Sequence, residues 1–306
     1  MSDIKQALAQ VASGDPKAGA TFGLERRYST GMFAVLAGIY EWEQRLQLSG
    51  QGIARAAVYR SLGDRGGDPT GIYQTTFSPE QVRDLAGLAL DSGILDYDAG
   101  HIEPGDLMIR IRFAALGIMH DVFLSMDITP EEEKIRQFLT TLTKLDKEVR
   151  KHPFRTLTIT ASVTGEIPKA GARKRVPILL TLRNEGPQGH WVRNPAAMIP
   201  DGQLERRYVT WARKPEMRPG ETSLPTSFVN GALEPAATRG PQYAVIWLAP
   251  QSETKIECSA IVNFPSAGTY YFKAGFTTFE GGHVYEGAGR WVGGVFSQAI
   301  ELEVPR

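Results

Sequence analysis

Only one cysteine, Cys258, occurs in 306 residues. No intramolecular disulfide can form, so the fold must hold by packing alone. No apolar run approaches the ~20 residues needed to span a bilayer. The N-terminus, Met1-Ser-Asp-Ile-Lys-Gln, has no basic stretch leading into an apolar one, so no signal peptide is expected. Together these absences predict a soluble, cytoplasmic protein with no membrane partner. Net charge is absent too, with 34 basic side chains against 34 acidic ones. That removes any global pull toward nucleic acid, which is not an expected partner.

Catalytic signatures are missing as well. There is no Gly-x-Ser-x-Gly elbow, no His-Glu-x-x-His and no phosphate loop. The five histidines, His101, His120, His152, His190 and His283, are isolated, without the paired spacing of a zinc site. His120 and Asp121 adjoin, but neighbours on a strand face opposite ways. Asp91, Asp96, Asp98, Glu103 and Asp106 lack the spacing of an EF-hand calcium loop. Cys258 lies mid-strand and reads as a buried, inert thiol. Neither a cofactor nor a metal is predicted.

What is present is uneven charge and clear periodicity. Residues 74–106 carry seven acids against one base, and residues 169–218 carry eleven bases against four acids. Such runs are usually solvated surface. Ile4, Leu8 and Val11 predict a helix over residues 1–13, stopped at Gly14-Asp15-Pro16. Residues 18–61 read as strand-rich, with an apolar run from Met32 to Ile39. Strands at 42–48 and 53–61 flank the turn Ser49-Gly50-Gln51-Gly52. Residues 62–70 read as a polar loop, and a further strand covers 71–77. Ser78-Pro79-Glu80-Gln81 has the form of a capping box, with Val82, Leu85 and Leu88 facing inward. Strands follow at 107–113 and 118–126. Thr129-Pro130-Glu131-Glu132 opens a second capped helix, whose stripe runs Ile135, Phe138, Leu139, Leu142, Leu145 and Val149. Lys144, Lys147, Arg150 and Lys151 crowd its last turns and suit the helix dipole.

His152-Pro153 ends that helix and marks the domain boundary. The prediction is an α+β domain over 1–152 and an all-β domain over 153–306. The second half holds only strand patterns, at 154–164, 176–184, 206–213, 243–248, 254–264, 268–277 and 295–304. In Gly268-Thr-Tyr-Tyr-Phe-Lys-Ala-Gly-Phe276, Tyr270, Phe272 and Ala274 share one face, predicted to be core.

Two resemblances follow from these elements. Seven short strands divided by Gly, Pro and Asn resemble an immunoglobulin-like β-sandwich, without its usual disulfide. Residues 41–151 resemble small α+β inhibitor domains of the emfourin type. The likeness is carried by the turn at Ser49-Gly50, Gly71 with its strand, Ser78 to Gln81 with its Val/Leu stripe, and Gly105-Asp106 before Leu107 to Phe113. Emfourins inhibit thermolysin-like metalloproteases, so the resemblance implies protein binding. It maps no functional residue onto this chain.

Two segments have the composition of contact surfaces. Within the glycine-rich stretch from Phe279 to Gly294, Tyr285, Arg290 and Trp291 are of types enriched at binding hot spots. Trp191 and Arg193, taken with Trp211 and Arg213, form a second candidate. The expectation is a non-catalytic protein-binding module, an inhibitor or immunity-type protein acting on a protease or toxin. One alternative is an enzyme whose site assembles from residues distant in sequence. Another is a polyanion or nucleic-acid binder built on Arg173, Lys174, Arg175, Arg193, Arg206, Arg207 and Arg213, with steep salt dependence.

Overall fold

The computed structural model describes residues 3–29, 42–59, 69–97, 108–125, 133–171, 173–195, 206–214, 229–235, 245–278 and 293–306. The chain divides into two compact units. One comprises Met1–Val58 and Ile72–Phe154, the other Tyr59–Gly71 and Arg155–Arg306. The fold is mixed α and β, with strand predominating, and among the described residues no helix is long and apolar enough to cross a membrane.

The first unit opens with helix α1 (Asp3–Ala12), which buries Ile4, Ala7, Leu8 and Val11 at helical spacing. Gly14-Asp15-Pro16 does more than stop it. The Asp15 carboxylate accepts from the Ala18 amide at 2.7 Å, and Pro16 fits the first turn, so a short helix α2 (Pro16–Thr21) begins at once. That corrects the strand-rich reading of residues 18–61 over 18–21 alone. Four strands then follow: β1 (Gly23–Ser29), β2 (Trp42–Ser49), β3 (Ile53–Val58) and β4 (Thr70–Thr76). Residues 30–41 and 60–68, including the apolar run from Met32, lie outside the described residues.

Helix α3 (Pro79–Ser92) carries the expected capping box. Gln81 donates to the Ser78 hydroxyl at 3.2 Å, and the Ser78 amide donates to the Gln81 side chain at 2.8 Å. Gly93 closes the helix in the left-handed conformation, φ 81°. Strands β5 (Met108–Ala115) and β6 (Ile118–Ser125) form a hairpin through Leu116-Gly117, both at positive φ, which suits a tight two-residue turn. Helix α4 (Glu133–Val149) completes the unit. Its expected capping box at 129–132 lies outside the described residues.

Strand order in this unit is β4-β3-β2-β1-β5-β6. One face, with Leu24, Leu46, Leu48, Ile111, Phe113 and Val122, shares a core with Leu8 of α1, Leu85 of α3 and Phe138 of α4. The turn after β2 is fixed by close approach. A Cβ on Gly50 would stand 1.6 Å from the Gly19 carbonyl oxygen, so only glycine fits.

The second unit is built from strands β7 (Pro153–Val163), β8 (Arg173–Arg183), β9 (His190–Arg193), β10 (Arg206–Arg213), β11 (Val229–Pro235), β12 (Val245–Leu248), β13 (Glu253–Asn263), β14 (Gly268–Thr278), β15 (Gly293–Phe296) and β16 (Ile300–Val304). Sequence patterning missed β9 and β11, and merged β15 with β16. Strand β11 contains Asn230, Gly231 and Pro235, all poor strand formers, and is held by its neighbours instead.

Pairing is antiparallel throughout. One set runs β7-β8-β13-β11; the other joins β10 to β14, and β14 to both β15 and β16. Strand β11 belongs to both, bonding β10 through Val229–Ala232 and β13 through Leu233–Pro235. The sets share one core, containing Ile178, Leu180, Trp211, Cys258, Phe264, Tyr270, Phe272 and Ala274. The Tyr270 hydroxyl donates to the Ser266 carbonyl at 3.0 Å, which pins the turn between β13 and β14.

Candidate functional site

Strands β9 and β12 form a two-stranded ribbon separate from both sets. Its register pairs His190 with Leu248, Trp191 with Trp247, Val192 with Ile246, and Arg193 with Val245. Alternation turns His190, Val192 and Leu248 inward, where they are buried. The same alternation turns Trp191 and Trp247 outward.

These two indoles are directly opposed. They are 41% and 48% exposed, and their ring centroids stand 5.2 Å apart at an interplanar angle of 60°. Edge-to-face contact of this kind favours a fixed mutual geometry. Gly189 makes room for it, since a Cβ there would lie 2.3 Å from the Trp247 ring. The result is a pre-organised apolar surface raised on a hydrogen-bonded ribbon.

The base of the ribbon is held by Asn184, whose side chain donates to the carbonyls of Gln188 (2.8 Å) and Ala249 (3.1 Å) and accepts from the Gly186 amide (3.0 Å). The Asn184 amide donates to the Ser252 carbonyl at 2.9 Å. One buried amide therefore ties together the two chain segments that enter and leave the ribbon.

His190 sits beneath the indoles, almost fully buried. Neither ring nitrogen finds a hydrogen-bond partner among the described residues. Burial pushes its pKa down to about 4; the Gln188 carbonyl pulls weakly the other way, and Arg155 adds to the lowering. That carbonyl lies outside hydrogen-bond geometry with the ring and is taken by Asn184. The ring is therefore neutral at neutral pH and acts as packing, not as an acid or base.

No family model matches this chain, and no curated protein is found similar to it.

The sequence-predicted residues are placed as follows. Trp191 and Arg193 lie on the ribbon, Trp191 on its outer face. Trp211 does not join them. It is 3% exposed and packs edge-on against Phe264 at 5.9 Å, so its work is inside the core. Arg213 is exposed at the end of β10, opposite Tyr270, near the β13–β14 turn and at the far end of the unit from the ribbon. Arg173, Lys174 and Arg175 are exposed on β8, in register with Ile261–Asn263 at that same far end. Arg173, Lys174, Arg175 and Arg213 therefore lie away from the ribbon that carries Arg193.

Tyr285, Arg290 and Trp291 lie outside the described residues. The chain leaves β14 at Thr278 and re-enters at Gly293, while Thr277 pairs with Arg206 at the start of β10. Both points are at the ribbon's end of the unit.

Sequence reasoning overlooked Trp247. Residues Val245-Ile-Trp-Leu248 are apolar at every position, so alternation gave no sign of which face was outward. The cross-strand register supplies it.

Among the described residues no three metal-capable side chains converge. His120 holds the Leu95 carbonyl at 3.0 Å, His152 lies beside Glu148, and Asp96 is paired with Lys5. His120 and Asp121 do face opposite ways, toward Leu95 and toward two arginines respectively. Cys258 is buried.

Proposed function

We propose that this chain is a non-catalytic protein-binding module whose contact surface is centred on Trp191 and Trp247. The observation that carries the reading is the exposed, register-paired indole couple. Large rigid aromatics lose little conformational freedom on binding and dominate interface energetics. The pair also steadies the ribbon across its two strands, yet leaves nearly half of each indole exposed for a partner.

Two features of architecture support this reading. We read the strand orders β7-β8-β13-β11 and β10-β14-β15/β16 as the A-B-E-D and C-F-G sheets of an immunoglobulin-like sandwich, and the Tyr270–Ser266 bond as its tyrosine corner. In that architecture the connections leading into β10 and out of β14 lie at a loop end used for binding. In the first unit, the hairpin β2–β3, strand β4, capped helix α3, hairpin β5–β6 and helix α4 follow the order of emfourin-type inhibitor domains. On that basis the partner class we favour is a protease or toxin, held in an inactive complex.

The test begins with affinity capture and mass spectrometry to name the principal partner. Calorimetry with purified proteins then compares the wild type with Trp191→Ala/Trp247→Ala. Loss of two hot-spot indoles should weaken binding about 30-fold or more, on the order of 2 kcal/mol. Unchanged affinity in the double variant would rule out the ribbon as the contact surface.

A further inference from the structure

Strand β6 closes the strand order of the first unit, and among the described residues it pairs on one side only, with β5. Which of its peptide groups face outward follows from the turn before it. Leu116-Gly117 is a two-residue hairpin loop, so the flanking Ala115 and Ile118 exchange both backbone bonds. Counting on in twos, His120, Val122 and Leu124 also bond toward β5. The N–H and C=O groups of Met119, Asp121 and Phe123 point away from it, along the edge of the sheet.

Edge strands usually carry a device against pairing: a lysine, a proline, a bulge or a very short length. Strand β6 has eight residues, neither lysine nor proline, and an unbroken register with β5. On the core side Val122 and Leu124 are buried, and His120 holds the Leu95 carbonyl. Met119, Asp121 and Phe123 take the opposite face. Met119 is 69% exposed and Phe123 42%. The charge between them is already engaged within the chain. Asp121 accepts forked contacts from Arg110 (3.1 and 2.8 Å) and Arg112 (2.8 and 3.0 Å).

We infer that β6 pairs antiparallel with β6 of a second copy of this chain, about a two-fold axis at Asp121. The site is separate from the ribbon and uses none of its residues. The outer face of β6 reads apolar, acid, apolar at even spacing, so it has the same pattern in either direction. A two-fold axis sets Met119 of each copy against Phe123 of the other, thioether on ring, and makes that contact twice. The outward peptide groups of the same three residues then meet in register as hydrogen-bonded pairs. Like charges directly opposed across strands are destabilising. Here each carboxylate at the axis is held by the two arginine forks of its own chain, which offsets that cost. A foreign strand would gain the same backbone bonds, but an aspartate already held selects no partner by charge. The doubled Met119–Phe123 contact favours a second copy.

So short an interface belongs to the weak class, with a Kd on the order of 10–100 µM. Sedimentation velocity of the full chain from about 5 to about 500 µM should therefore follow a monomer–dimer equilibrium. Met119→Lys/Phe123→Lys sets lysine against lysine twice and should weaken association at least tenfold. Both positions are exposed, so its far-ultraviolet spectrum should match the wild type. Met119→Glu/Phe123→Glu should weaken association equally, and an equimolar mixture of the two variants should recover the dimer, because lysine then meets glutamate. Trp191→Ala/Trp247→Ala should associate as the wild type does. In the wild type, amide exchange at Met119, Asp121 and Phe123 should slow with rising concentration more than at His120 and Val122. A chain that stays monomeric over the whole range overturns the proposal. So does a dimer that the lysine variant leaves intact, or a lysine–glutamate mixture that stays monomeric.

Discussion

Replacing Asp146 by alanine should destabilise the first unit by about 3–5 kcal/mol. Asp146 projects from α4 into the core between two guanidinium groups. Arg150, one turn later, reaches it at 2.7 Å, and Arg26 of the central strand β1 at 3.4 Å. Arg26 is almost fully buried, and its Nε finds no hydrogen-bond partner among the described residues. Burial lowers its pKa, while Tyr28 and Asp146 pull it back up. The remaining support comes from Thr143 at 3.3 Å and the Tyr28 ring at 4.6 Å. Removing the carboxylate strands a buried cation, and the helix loses its tie to the sheet.

All four helices described lie in the first unit, so the far-ultraviolet helix signal during urea unfolding reports on it. Asp146→Asn keeps one acceptor oxygen and should fall between the wild type and alanine. Arg26→Met/Asp146→Leu should recover most of the loss, because apolar groups of similar volume need no counter-charge. An alanine variant within about 1 kcal/mol of the wild type would show that water or another group already satisfies Arg26.

The second unit should lose about 3 kcal/mol of stability as pH falls from about 6.5 to about 4, through His190 alone. The unfolded chain takes up this proton near pH 6.5, and the folded chain only near pH 4. Between those values the unfolded state binds more protons, so acid favours unfolding. Above the window both states are neutral and the effect vanishes; below it the loss levels off. Four of the five tryptophans belong to the second unit, so indole fluorescence in urea follows this transition in the full chain. His190→Leu should flatten the pH dependence within that window. An equal slope in wild type and variant would mean that the ring already has a proton acceptor.

What could be read in the sequence was local. The Ser78–Gln81 cap involves residues three apart, and the α4 stripe is a repeat within one segment, so both are fixed by near neighbours. Long-range pairing hid the rest. Strand β1 reads Gly-Leu-Glu-Arg-Arg-Tyr-Ser, which looks like surface, yet it lies between β2 and β5 with Arg26 pointing inward. Asp146, far along the chain, supplies the counter-charge that makes that burial tolerable. Arg150 looked like a dipole-complementing cation, but it also spans to Gln44 of β2 at 2.7 Å. At the candidate site, Trp191 was visible while its true partner was not. Composition grouped it with Trp211, whereas register pairs it with Trp247.

Oxidative footprinting of the tryptophans, with and without the purified partner, tests the central claim most directly. The partner should protect Trp191 and Trp247 strongly, while Trp211, already enclosed in the core, stays unreactive in both states. Equal labelling of Trp191 and Trp247 in the free and bound protein would contradict the account.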